Sequence, residues 1–177
     1  MRLRQLEDRF ALQDLVATYC QAIDDRDLDT FVALFTDDGR MRHRDGGMDV
    51  TGRDALRAYY AARFPTYGVT FHYPHAHTIT FDGPDAAHGT LSAHAEMDLN
   101  GEFFLAAFRY SDRYVRDERQ WRFGERVLAC WYYMRLADLP TQIGDPLRKH
   151  YKGQHLPAEL PESLATYRAW HPDGLGR

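Results

Sequence analysis

Lysine is almost missing from this chain. Of 22 basic residues only Lys149 and Lys152 are lysines and the rest are arginines, which a coding bias toward GC-rich codons explains more simply than any function does. Cysteine is equally scarce. Cys20 and Cys130 are too few for a disulfide framework and fall in apolar-periodic segments, so a reduced, cytoplasmic protein is expected. No apolar run approaches the roughly 20 residues that a bilayer-spanning helix requires, which excludes a helical membrane protein. The opening MRLRQLEDRF carries charge where a signal peptide has its apolar core, so export is not expected. Positive charge is not in excess either. With 22 Lys+Arg against 26 Asp+Glu the net charge is −4, which argues against nucleic acid as the main partner.

What remains describes a globular protein. A length of 177 residues suits one domain with an appended tail, and 44% hydrophobic against 27% charged residues excludes a disordered chain. Nine histidines with 10 Phe, 11 Tyr and 3 Trp point to an aromatic-lined interior with titratable groups beside it.

Apolar spacing predicts an amphipathic helix over Gln5 to Ile23, carrying Leu6, Phe10, Leu12, Leu15, Val16, Tyr19, Ala22 and Ile23 on one stripe. A second helix is expected from Leu28 to Thr36, capped by Asp29 and stopped by Asp38-Gly39. Short strands at Arg40 to His43 and Met48 to Val50 precede a third helix that opens at Thr51-Gly52-Arg53-Asp54 and ends before Pro65. The period then changes to two. Val69 to Phe81, Ala87 to Leu99, Glu102 to Val115 and Gln120 to Tyr133 read as four long strands joined by tight turns, of which Asn100-Gly101 is the strongest hairpin signal. After Leu139 come Pro140, Pro146, Pro157, Pro161 and Pro172, with one short helix expected at Glu162 to Trp170. The division expected is a domain over residues 1–139 and an extension over 140–177 that covers the domain or a neighbouring subunit. Helices followed by a strand meander make an α+β cone, three helices on a strongly curved antiparallel sheet, and such a cone encloses a small-molecule cavity.

Three constellations could carry chemistry. In the first, Tyr19 points inward from the helix and Asp24 follows at its end. An inward carboxylate needs a partner, but Asp24 could equally cap the next loop while Tyr19 serves only the core. The second is Phe71-His72-Tyr73-Pro74-His75-Ala76-His77. It reads as metal ligands completed by His94, Glu96 or His43, as one catalytic histidine among three, or as polar residues at a strand end. On a regular strand His75 and His77 share a face and His72 lies opposite, unless Pro74 forces a bulge. In the third, Ser92, His94, Glu96 and Asp98 share one parity, so His94 enters the cavity or the strand turns a polar face outward. Trp121, Phe123, Val127 and Trp131 read as core or cavity wall, and Arg109, Arg113 and Arg126 as surface or interface.

The segments Leu12-Gln13-Asp14-Leu15 through Tyr19, Ala22 to Asp29, Phe35-Thr36-Asp37-Asp38-Gly39, Gly52 to Leu56, Tyr110 to Arg116 and Trp121-Arg122-Phe123 together resemble SnoaL-like proteins of the NTF2-like superfamily. Among these the likeness is to the lyases scytalone dehydratase, bile-acid 7α-dehydratase and hexachlorocyclohexane dehydrochlorinase. The resemblance implies a His–Asp dyad that removes a proton, with the acid at the end of the first helix and the histidine starting the first long strand. Asp24 and His72 stand at those positions, and Tyr19 matches a tyrosine of the bile-acid enzyme. Cys130 falls near where some members place an arginine. His94, His75, Trp131, Phe108 and Tyr60 are the expected substrate-binding residues. The function implied is a dehydratase-like lyase needing no cofactor and no metal, acting on a cyclic, largely apolar steroid or polyketide-like substrate. An isomerase, a polyketide cyclase and a non-catalytic binding module are the alternatives. Members of the fold assemble as trimers or dimers, so a homo-oligomer is expected.

Overall fold

The computed structural model describes residues 3–171; Pro172 and the rest of the extension to residue 177 lie outside the described residues. Helix α1 (Leu3–Asp24) is followed by a short α2 (Leu28–Ala33), strands β1 (Phe35–His43) and β2 (Asp49–Thr51), and α3 (Arg53–Arg63). Four long strands come next: β3 (Thr70–Phe81), β4 (Ala86–Leu99), β5 (Glu102–Asp117) and β6 (Gln120–Arg135). The extension adds α4 (Leu139–Gln142), a hairpin of β7 (Lys149–Tyr151) and β8 (Gln154–Leu156), and α5 (Ala165–Trp170).

The main sheet runs β2-β1-β6-β5-β4-β3. Its four long strands pair antiparallel, but β1 lies parallel to β6, and so does β7. The sheet is therefore mixed, not purely antiparallel. The same parallel pairing shortens α2. The Phe123 N–H donates to the Leu34 carbonyl at 2.8 Å and Phe35 pairs with Phe123, so strand partners capture the chain before the helix can reach Thr36. Asp27 takes the capping role assigned to Asp29, its carboxylate accepting from the Thr30 N–H at 3.0 Å. Between β4 and β5, Asn100 (φ 56°) and Gly101 (φ 81°) form the two-residue turn that their pairing predicts.

The core lies between the helices and the concave face. Leu12, Phe31, Phe35, Leu56, Leu91, Tyr114 and Phe123 are fully buried, and Tyr19 meets Phe31 and Phe123 edge-on or tilted at centroid distances of 5.7 Å. On α1 the stripe departs from expectation. Phe10 is exposed, whereas Asp8 is buried, accepting from Trp121 Nε1 at 3.1 Å and pairing with Arg116. Cys20 and Cys130 are free and buried. No helix among the described residues is long and apolar enough to cross a membrane.

Candidate active site

A cavity of about 250 Å³ lies between the concave sheet and the helices. Apolar side chains of the sheet, among them Met97, Phe108 and Leu128, form one wall, and Tyr19 and Tyr60 face them from α1 and α3. His72, His43 and Arg63 bring polar groups to it.

His72 enters this cavity because of a bulge. In β3, Pro74 pairs with Ala93 but His77 pairs with Leu91, so His75 and Ala76 together oppose a single residue. One extra residue reverses the parity of a strand. His72, opposite Ala95, therefore shares the inner face with His77, and His75 is turned outward. The three histidines separate. His77 Nε2 bonds the Tyr114 hydroxyl at 2.9 Å, and His75 bonds outer-face His94 at 2.6 Å. Among the described residues no three His, Cys, Asp or Glu side chains are arranged to hold a metal ion.

Asp24 meets His72 across 48 positions of chain. One carboxylate oxygen lies 2.6 Å from His72 Nδ1 and accepts from the Thr70 hydroxyl at 2.9 Å, while the other accepts the His72 backbone N–H at 2.7 Å. An ionised carboxylate only accepts, so Nδ1 carries the proton and Nε2 keeps its lone pair. Burial pushes the Asp24 carboxyl up, but the bonds from His72 and Thr70 outweigh it and hold the group below the usual carboxylate range. Arg26 fixes the turn that ends α1. In the left-handed region at φ 61°, it donates to the Ile23 carbonyl at 2.6 Å and to Thr70 Oγ1 at 2.7 Å, so Thr70 links Arg26 to Asp24.

Tyr19 and Tyr60 both direct their hydroxyls at Met41 Sδ, at 3.6 and 3.1 Å. A thioether is a weak acceptor, so an oxygen atom entering the cavity is the better partner for either phenol. Burial raises both phenols well above their ordinary range, which keeps them protonated as donors.

Beneath Tyr19 lies a charge that the sequence reading put at the surface. Arg126 is completely buried, bonding both oxygens of Asp112 at 2.9 and 3.0 Å, and its guanidinium is 4.2 Å from the Tyr19 ring centroid and 3.9 Å from that of Tyr110. The Tyr114 hydroxyl donates to Asp112 at 2.9 Å and accepts in turn from His77. A buried ion pair thus underlies the floor of the cavity, with Nη1 of Arg126 unpartnered.

Of the expected substrate-binding residues, Phe108 and Tyr60 line the cavity and three do not. His75 and His94 stack on the outer face with Tyr73, at centroid distances of 4.8 and 4.7 Å from His94. The even-numbered parity of β4 is the outer one, because Leu91, Ala93, Ala95 and Met97 are buried against the core. Trp131 is the extra residue of a second bulge, between the pairs Phe108–Cys130 and Ala107–Tyr132, and the Arg109 guanidinium is 5.2 Å from its ring centroid.

Residues without a part in the sequence reading also reach the cavity. His43 ends β1, and burial together with the nearby Lys149 charge lowers its imidazole to about 4. Lys149, Tyr151 and Leu156 come from the extension. Lys149 pairs with Asp45 and, at 2.8 Å, with Glu159, whose other oxygen accepts the Cys130 N–H, fastening the extension to the body. Burial pushes the Cys130 thiol up to about 12, so it offers no thiolate nucleophile near neutral pH.

A SnoaL-like domain model matches residues 4–127, and no curated protein matches the chain. Among solved structures, an NTF2-like protein with a cystatin-like fold from Novosphingobium aromaticivorans is 27% identical, with 73% of this chain and 85% of that one covered at a TM-score of 0.60. The hexachlorocyclohexane dehydrochlorinase LinA-type3 from Novosphingobium barchaimii is 22% identical, covering 76% and 94% at a TM-score of 0.70. A Novosphingobium aromaticivorans protein provisionally assigned as a scytalone dehydratase is 21% identical, covering 76% and 91% at 0.71. With these the chain shares the NTF2-like α+β cone, helices packed on a curved mixed sheet.

Proposed function

This chain belongs to the SnoaL-like family, and from that premise we propose that it is a dehydratase-like lyase acting by His72–Asp24 general base catalysis on a cyclic, largely apolar hydroxy-carbonyl compound. One observation carries the reading. Within a mostly apolar cavity, a carboxylate holds Nδ1 of an imidazole at 2.6 Å and leaves Nε2 with no partner among the described residues. An imidazole so fixed can take a proton on Nε2, and the carboxylate stabilises the imidazolium that forms.

The step balances without a cofactor. Nε2 of His72 takes the proton from the carbon beside the substrate carbonyl, and that C–H electron pair becomes the new double bond. The C–O bond breaks, and the departing hydroxyl leaves as water with the proton of Tyr19, which the imidazolium replenishes. Tyr60 hydrogen-bonds the carbonyl oxygen as negative charge develops on it. The LinA-type3 structure, of the same fold, is by its name that of a hexachlorocyclohexane dehydrochlorinase. Neither Trp131 nor Tyr132 lines the cavity, although Lys149, Tyr151 and Leu156 of the extension do; the Asp24–His72 contact beside it is what favours an enzyme over a non-catalytic module. At about 250 Å³ the inner cavity is below the 300–1,000 Å³ usual for ligand pockets, so one or two fused rings suit it better than a whole steroid.

Incubation with cyclic β-hydroxy-ketones, followed by mass spectrometry, tests the reading. Loss of one water from the product, abolished in His72→Ala, is the expected result; a product of unchanged mass would replace the lyase by an isomerase.

The outer face of the sheet carries Val69, Phe71, Tyr73 and Phe103, all exposed. We propose that further copies of this chain cover it, in a trimer or a dimer.

A further inference from the structure

Beyond the inner cavity lies a second hollow of about 650 Å³, and Arg63, Tyr67, Tyr133 and Tyr151 line both spaces. Arg63 is the centre of this collar. Its Nη1 donates to the Tyr151 hydroxyl at 3.0 Å and its Nη2 to the Tyr67 hydroxyl, and the Tyr59 and Tyr67 ring centroids lie 5.7 and 5.2 Å from it. Only tyrosines favour its charge, and no carboxylate of the described residues pairs with it. In the outer hollow the acidic side chains are already engaged, because Arg135 bonds both Glu102 at 3.2 Å and Asp138 at 2.8 Å. Lys152 is a second cation there without a carboxylate, its ammonium 5.4 Å from the Tyr151 ring centroid.

A half-buried guanidinium with no counter-charge is costly unless something anionic completes it. Each phenol oxygen that accepts from Arg63 keeps its own O–H proton, and neither hydroxyl donates to another described residue. The collar thus presents two polarised O–H donors over one cation, with a second cation alongside. Burial alone would raise the Tyr151 phenol, yet the bonds and charges of Arg63 and Lys152 pull it below its ordinary range.

The geometry points to the collar of Arg63, Tyr67 and Tyr151 as an oxyanion site that receives a carboxylate or phosphate ester carried on the substrate, with the ring in the inner cavity and the acidic arm passing toward the outer hollow. This rests on the lyase reading only for the seat of the ring. The arm is on the extension's side of the molecule, so a substrate bearing it is held at both ends. The simpler role for Arg63, tying Tyr151 of the extension to α3, would give no discrimination between an acid and its amide.

Three probes of one ring system separate these roles: naphthalene-1-acetate, naphthalene-1-acetamide and 1-naphthyl phosphate, each titrated calorimetrically into the full chain. At least one anion is expected to bind about tenfold or more tightly than the amide, and the tighter of the two names the oxyanion. Arg63→Gln brings the ratio close to one, and Lys152→Met, an exposed substitution that leaves the fold intact, lowers it severalfold. His72→Ala leaves the ratio unchanged, so the collar and the base are tested apart. Equal binding of amide and both anions by the unaltered protein, or a preference that survives Arg63→Gln with Lys152→Met, overturns the assignment.

Discussion

Asp24 holds His72 at two points, the ring through Nδ1 at 2.6 Å and the backbone N–H at 2.7 Å, so one carboxylate fixes both where the imidazole starts and which way it faces. Substituting Asn keeps the size and removes the charge. A carboxamide presenting its NH₂ to Nδ1 would also force the proton to Nε2, the wrong tautomer for a base. Asp24→Asn and His72→Ala are each expected to lower kcat by about 10²–10⁴-fold, and Tyr19→Phe by less. Steady-state kinetics on a substrate identified by water loss reads all three.

Arg126 and Asp112 form an ion pair with both side chains fully buried. Asp112→Ala strands the guanidinium and is expected to cost about 3–5 kcal/mol of stability, measured by urea denaturation. Arg126→Met combined with Asp112→Leu removes both charges and should regain much of that loss. A double variant as unstable as the single one would show that the bond from Tyr114, not the ion pair, is what matters at Asp112.

His43, with its imidazole lowered to about 4, predicts a stability change with a definite sign. Between that value and the unfolded value of about 6.5, the unfolded chain binds a proton that the folded chain refuses. Stability therefore rises with pH across this window, and His43→Gln should flatten the acid side of a plot of Tm against pH. Asp24 acts lower down. Its carboxyl is depressed, so its contribution is full above the ordinary carboxylate range and is lost as pH falls through the folded value. If His43→Gln leaves the slope between pH 4 and 6.5 unchanged, the other lowered histidines, His77, His94 and His150, carry it.

The outer face gives the fourth expectation. Phe71 and Tyr73 are 48% and 42% exposed on a strand whose inner face is spoken for. Phe71→Glu with Tyr73→Lys should lower the mass seen by light scattering to that of one chain while leaving the circular dichroism spectrum unaltered. A single-chain mass for the unaltered protein would refute the proposed assembly.

Reading the fold from sequence succeeded where local signals and the global arrangement agree. Asn100-Gly101 identifies a hairpin, whereas the alternation of Leu91, Ala93, Ala95 and Met97 against Ser92, His94, Glu96 and Asp98 leaves open which face meets the cavity, and the structure buries the apolar one. It failed where one residue changes the count. The bulges at His75 and Gly124 reverse parity, so a period of two carried on from Trp121 and Phe123 assigns Trp131 to the cavity, and one without a bulge pairs His75 with His77 on one face. Charge was the other blind spot. Arg126 and Asp112 are ordinary surface residues by type, and only their mutual pairing from neighbouring strands permits full burial. The meeting of Asp24 with His72 was available through family resemblance alone, since no local rule joins positions 48 residues apart. The extension's hairpin carries a local signal of its own: Lys152-Gly153, with φ of 51° and 75°, is another two-residue turn of the same kind.

The stretch that closes the cavity, Lys149 to Leu156, lies wholly downstream of the region matched by the family model, whereas the imidazole and its carboxylate lie inside it. On the proposed reading, admission of the substrate and removal of its proton would thus be encoded in separable parts of the chain. Grafting a different tail after β6 would re-tune which molecules are admitted while sparing the machinery that acts on them, a modular division open to recombination at a single junction.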